Sequence, residues 1–136
     1  SIRPDRFSYR MIKESGSFTV NLPTSDMLDM VDLCGTVSGA EGDKFERAGL
    51  TAVTAKLVTA PLVAECPVNL ECELIKIEPL GLHDMFLGEI VARHVDESVS
   101  DGGRADWSTI PLISYIDGEY WFLGERIGTY GCSKKD

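Results

Sequence analysis

Between Val68 and Ile77 the apolar residues change phase in mid-run. Leu70, Cys72 and Leu74 alternate with Glu71 and Glu73, and the apolar positions then shift to Ile75 and Ile77. Period two is the signature of a strand, and a change of phase needs one extra residue, taken up by a β-bulge or by a bend between two walls. Barrels require such strands. The rest of the chain agrees. Phe18 to Leu22 alternates and stops at Pro23, residues 52–59 read as a strand reaching Pro61, and residues 85–95 read as a long strand with Gly88 inside it. Residues 110–115 and 120–123 predict a hairpin around Asp117-Gly118, a pair suited to positive φ. Helical stretches are short. Ser8 is placed to cap one through Lys13, with Met11 and Ile12 facing inward and Gly16 as the stop. Thr24 or Ser25 opens a second, where Met27, Met30, Val31 and Cys34 recur at helical spacing up to Gly35. A further turn spans residues 43–48 before Gly49. The expected fold is mainly β with short helices, an antiparallel barrel with helical excursions rather than alternating βαβ units.

At 136 residues and 43% hydrophobic, the chain has the size of one domain over residues 1–136. A formal net charge of −9 argues against nucleic acid or an anionic membrane as partner, because both reward a basic face. A small anion remains compatible with that charge, since a local cluster of donors can oppose the global field. No run of the roughly 18 apolar residues needed to cross a bilayer is present. Cys34, Cys66, Cys72 and Cys132 have neither Cys-x-x-Cys spacing nor the density of a secreted scaffold, and read as reduced thiols of a cytoplasmic protein, with Cys34 and Cys72 filling core positions. The opening Ser1-Ile2-Arg3-Pro4 lacks an initiator methionine and reads as the continuation of something already under way.

Two stretches have the composition of an anion site. In Cys34 to Phe45, the residues Gly35, Ser38, Gly39 and Gly42 free the backbone to present N–H groups, Ser38 adds a hydroxyl and Lys44 a point charge. Arg3 and Arg6 lie beside Ser8 at a predicted helix start, where guanidinium forks and the helix dipole both favour phosphate. Each has a plainer reading, as a flexible loop with a solvated lysine and as a surface pair on an ordinary turn. Asn21, at a strand end, suits either a ring carbonyl or a backbone group where pairing stops. His83, in a turn, suits either a ligand or solvent, and His94 looks structural. Glu71 and Glu73 read as solvated outer-face residues, and the late aromatics Trp107, Tyr115, Tyr120, Trp121 and Tyr130 as packing or subunit contact. Neither histidine has the company for a hydrolytic triad, and no metal-ligand set is spaced along the chain.

In order and spacing, Ser1 to Ser8, Gly16 to Pro23, Cys34 to Phe45, Gly49 to Thr51, Leu82 to Ile90 and Gly118 to Gly128 resemble the landmarks of the flavin reductase-like family, in particular its flavoredoxin-like branch. The resemblance implies a Greek-key split barrel, a homodimer with FMN near the subunit boundary, and reversible flavin reduction by NADH, NADPH or a redox protein donor. It also implies that Arg3 and the residues after it, Asn21, Ser38, Gly39, Lys44 and Phe45 surround the flavin, with arginine and lysine near the phosphate, and that His83 stands near the flavin or the nicotinamide. About two strands precede this starting point in the family, so the domain is expected to lack its N-terminal strands. An FMN-binding electron carrier without catalysis, and a sensor built on the four cysteines, are the alternatives to the reductase.

Overall fold

The structure, a computed structural model, describes residues 1–134. Helix α1 spans Phe7–Ser15, strand β1 Ser17–Leu22, α2 Leu28–Thr36 and α3 Lys44–Ala48. Strands β2 (Ala52–Val53) and β3 (Leu62–Val63) pair with each other, and β4 (Val68–Pro79) and β5 (Asp84–Val95) form the longest ladder. Two ribbons follow, β6 (Ser100–Asp101) with β7 (Arg104–Ala105) and β8 (Ile113–Ile116) with β9 (Glu119–Phe122). The central sheet runs β1-β4-β5 and is antiparallel throughout.

The phase change is a pair of bulges. At Leu74 the partner is Gly88, and at Lys76 it is Leu87, so Ile75 is the extra residue on β4. At Glu71 the partner is Ala92, and at Cys72 it is Ile90, so Val91 is the extra residue on β5. Close approach explains the glycine inside β5. A Cβ at Gly88 would stand 2.5 Å from Cζ of Phe18 and 3.3 Å from Cβ of Cys72. Phe18 faces Cys72 across the β1–β4 pair, and its ring reaches over β4 onto the bare backbone of β5. Cys72, Val68, Leu62, Cys66, Met27 and Ile110 form the buried apolar core.

On the other face of the sheet, expectation and structure part. Glu71 lies on that face but is fully buried, because the segment between β2 and β3 folds over it instead of forming a strand. Its carboxylate accepts from the backbone N–H groups of Lys56 at 2.8 Å, Leu57 at 2.6 Å and Val58 at 3.0 Å, and meets His94 Nε2 at 2.5 Å. Residues 56–58 therefore spend their donors on a side chain, which removes them from any ladder. The polar face of β1 completes the attachment. Ser17 Oγ contacts Thr59 Oγ1 at 3.1 Å, Thr19 Oγ1 donates to the Pro61 carbonyl at 2.7 Å, and Asn21 Oδ1 accepts from Val63 N–H at 3.1 Å.

Helix limits differ in detail from the expectation. Arg6, not Ser8, holds the N-cap of α1, and Met11 is exposed. Gly16 ends that helix in the left-handed conformation, with φ 67°. A 3-10 turn at Ser25–Met27 precedes α2, which continues through Gly35 to Thr36. The β8–β9 turn has φ 51° at Asp117 and 87° at Gly118, the positive pair that a two-residue hairpin of matching twist requires.

Burial acts to raise the Glu71 carboxyl, but the bonds from Lys56, Leu57, His94 and Val58 outweigh it and hold the pKa at about 2, against an ordinary 4.5. A folded-state value below the unfolded one gives stability that is complete above pH 4.5 and is lost as the pH falls toward 2. Acid unfolding followed by circular dichroism should therefore lose part of its pH dependence in this window in Glu71→Gln, which should also be less stable at neutral pH. Gly88→Ala should lower unfolding free energy by about 1–3 kcal/mol in urea titrations, through overpacking against Phe18, and Phe18→Leu should recover part of that loss.

Candidate functional site

The first residues of the chain are fastened to the start of β5. Ile2 and Asp84 exchange backbone hydrogen bonds of 2.9 and 3.0 Å, and the Tyr9 hydroxyl donates to Asp84 Oδ2 at 2.8 Å. The Tyr9 ring stands edge-on to Phe86 with centroids 5.1 Å apart. Donation to Asp84 pushes the Tyr9 hydroxyl pKa up, with burial and the carboxylate charge adding to the effect. Asp84 is 7% exposed, so this junction is a buried anchor. Antiparallel pairing of Ile2 with Asp84 places Arg3 and His83 opposite one another, one step further along. His83 is exposed, and Arg3 pairs with Asp5 at 2.8 Å.

The start of α1 follows at once. Arg6 occupies its N-cap in an extended conformation without a side-chain cap, and no acidic residue lies in the first turn. The N–H groups of Phe7 and Ser8 therefore have no intrahelical partner, and the positive end of the dipole is not neutralised locally. Arg6 takes part in no ion pair among the described residues. Arg10 lies 5.3 Å over the Phe7 ring and 3.8 Å from Glu14.

Phe7 joins this helix start to the glycine-bearing loop. A Cβ at Gly39 would come within 3.0 Å of Phe7 Cδ1 and 3.9 Å of Lys44 Cε, so a larger residue would make the ring shift by a few tenths of an ångström. Ser38 caps the 3-10 turn Gly39–Glu41, its Oγ accepting from Ala40 N–H at 3.2 Å. Lys44 Nζ donates to the Cys34 carbonyl at 2.5 Å, tying the loop to the last turn of α2. The Phe45 N–H bonds the Asp43 side chain at 2.8 Å, and the Phe45 residue is half-buried.

Arg3, Arg6 and Ser8 thus lie on the segment that the Ile2–Asp84 junction fastens beside His83, and Gly39 and Lys44 approach that segment at Phe7, with Ser38 and Phe45 in the same loop. Asn21 has a different setting, with its carbonyl oxygen on Val63 and its amide donating to Thr19 Oγ1 at 3.2 Å. Tyr9, Asp84 and Arg10 were not singled out by sequence. Their spacing carried one available signal, an acid after a turn histidine and an aromatic one helical turn from the N-cap, but only the fold links residues 75 apart.

The chemistry of the donor set matches a phosphate monoester: the Arg6 guanidinium, a hydroxyl and unpaired N–H groups in a first turn without acid, with the Arg3 guanidinium beside them held by Asp5. The cysteines offer a poorer centre. All four are free, burial and the nearby Glu65 charge push the Cys66 thiol up to about 11, and burial raises Cys72. Among the described residues no group of three His, Cys, Asp or Glu side chains is placed to hold a metal, and no helix is long and apolar enough to cross a membrane.

Comparison with known proteins places this arrangement. The model of the flavin reductase like domain family matches residues 1–123, so the chain belongs to that family. Its fold is the mainly β split barrel of flavin reductase-like structures. Flavoredoxin of Desulfovibrio vulgaris (Miyazaki F) superposes with a TM-score of 0.90 at 34% identity, over 99% of this chain and 74% of that one. An FMN-binding protein from Thermus thermophilus gives a TM-score of 0.79 at 26% identity, over 95% and 70% of the two chains. An uncharacterized protein of Archaeoglobus fulgidus is 39% identical over 102 residues, 75% of this chain and 58% of the relative. Against two further curated relatives the chain spans 44% and 59% of their length, so it corresponds to roughly half of such proteins.

Proposed function

We propose that this chain is the FMN-binding part of a flavin reductase-like oxidoreductase that passes electrons through FMN from NADH, NADPH or a redox protein. The observation that carries the reading is the uncapped, acid-free start of α1, with Arg6 at its N-cap and the Gly39 loop packed against Phe7. Similarity to a flavoredoxin and to an FMN-binding protein supports the choice of ligand.

In this reading Arg3, Arg6 and Ser8, together with the first-turn N–H groups, hold the phosphate. Lys44 keeps two of its three N–H donors beyond the one on Cys34 and adds positive charge beside Gly39. Ser38, Gly39 and Phe45 border the ligand from the loop, whereas Asn21, in register with Asn69 and His94 at the far end of β5, holds the Val63 segment. His83, opposite Arg3, faces the flavin ring or the nicotinamide. FMN, when bound, supplies the electron-transfer chemistry itself, so the chain needs no covalent nucleophile and its task is to bind, orient and set local charge. Raised thiol pKa values at Cys66 and Cys72 count against a cysteine sensor, because the thiolate is the reactive form. We also propose a homodimer, supported by Tyr115 and Ile116, which are 66% and 59% exposed on the β8–β9 ribbon.

Purified protein incubated with FMN and desalted should be yellow, and NADH or NADPH should bleach it under anaerobic conditions. Yellow protein that oxidises neither nicotinamide is an electron carrier, and protein that stays colourless refutes the reading. Arg6→Ala should weaken FMN binding by about 1.5–3 kcal/mol, the worth of a charge-assisted hydrogen bond, measured by quenching of flavin fluorescence. Ser8→Ala should cost less, about 0.5–1.5 kcal/mol.

A further inference from the structure

A second concave region lies at the opposite end of β5. Arg93 is nine residues along that strand from Asp84, about 30 Å at the rise of a β-strand, and so well separated from His83 and the start of α1. There Arg93, Arg104 and Arg126 line a hollow of about 1150 Å³ together with Trp107, Ile110 and Phe122.

Backbone hydrogen bonds of its own lining residues fix its walls. The Asp106 N–H donates to the Val99 carbonyl at 2.8 Å and Thr109 N–H to Asp106 at 3.1 Å, which shapes the turn bearing Trp107. Ile110 is 4% exposed and forms a packed floor. Next to it the Pro111 carbonyl accepts from Ser25 N–H at 2.8 Å, and Leu123 N–H donates to Leu112 at 3.1 Å. The hollow is therefore preformed.

Its lining combines flat apolar surface with unspent positive charge. Trp107 is 54% exposed and Phe122 70%, although both are aromatic and beside a rigid floor. None of the three arginines takes part in an ion pair among the described residues, although Asp101, Asp106 and Glu125 also border the region. The Asp106 carboxylate is instead occupied by Ser108, through its N–H at 3.1 Å and its hydroxyl at 2.6 Å. The three guanidinium groups are matched in number by these three acids, and the Ser108 bonds, joined by the Arg126 charge, lower the Asp106 carboxyl pKa, but among the described residues none of the three arginines has an N–H donor held in an ion pair. Aromatic planes take ring stacking, and guanidinium takes both anionic oxygens and ring faces.

We infer that this hollow is a binding site, separate from the one beside α1, for a planar aromatic ligand that carries an anionic group. A nucleoside monophosphate and an aromatic carboxylate share that chemistry. Ring and charge both contribute, with the ring against Trp107 and Phe122 and the anion among the arginines.

The test uses Trp121→Phe protein, in which Trp107 is the one remaining tryptophan, both free and with one equivalent of FMN. Adenosine monophosphate and benzoate are titrated against Trp107 emission and by calorimetry, with adenosine and inorganic phosphate as single-feature controls. At least one of the first two should saturate at millimolar concentration or below, and whichever does identifies the source. Both controls should bind at least about tenfold more weakly, and Arg104→Gln and Arg126→Gln should each weaken the aromatic anion about tenfold with an unchanged circular dichroism spectrum. One equivalent of FMN, which fills the site beside α1, should leave the affinity unaltered. Absence of a saturable response, equal binding of either control, unaffected arginine variants, or full competition by one equivalent of FMN would each overturn the inference.

Discussion

The buried carboxylate of Glu71 organises one whole side of this fold. A single ionised group receives three consecutive backbone N–H groups from residues 56–58 and faces His94 on the neighbouring strand. An uncompensated charge at full burial would be prohibitive, so the carboxylate, the segment and the imidazole must assemble together. The polar row Ser17, Thr19 and Asn21 extends the attachment along β1, so that residues 56–63 are secured to the sheet by side chains and not by a ladder. The opposite face is apolar, with Phe18 seated on Gly88 and Cys72 beneath it. One sheet thus has two covered faces of unlike chemistry.

That rigid sheet gives β5 a fixed start, and the start of β5 positions the site. Asp84 serves as a junction between strand and N-terminal segment, holding Ile2 by its backbone and Tyr9 by its side chain. Consequently α1 has little freedom to turn its first residues elsewhere. The helix end is left without cap or acid, which is a cost to an isolated helix and an advantage to one that meets an anion. Phe7 and Gly39 then bring the second loop to the same place by close packing alone. The candidate site is a consequence of two packed contacts, one buried at Asp84 and one half-buried at Phe7 and Gly39, neither of which need touch a ligand.

Much of this was legible in the residues. The phase change at Ile75 pointed to a bulge or a bend, and the structure has the bulge, while Gly88, which suited a tight bend or a close approach, marks a close approach. Gly16, Gly49 and Asp117-Gly118 stand at the positive φ values their types favour. The error at Glu71 has a physical cause. Alternation reports which face a residue occupies and says nothing of what covers that face, so a buried acid and a solvated one look alike in sequence. The same blindness turned residues 54–59 into an expected strand. For the site, composition marked both clusters, but their meeting depends on Asp84, Tyr9 and Phe7, whose partners lie far away in the chain.

The central claim is that the start of α1, with Arg6, grips the phosphate of a flavin mononucleotide. Its most direct test compares FMN with riboflavin, which carries the same ring and no phosphate, by fluorescence quenching at low ionic strength. The account predicts that FMN binds at least tenfold more tightly, and that the advantage shrinks as salt rises or when Arg6 is replaced by alanine. Equal affinity for the two flavins, or an FMN advantage indifferent to Arg6, would contradict it.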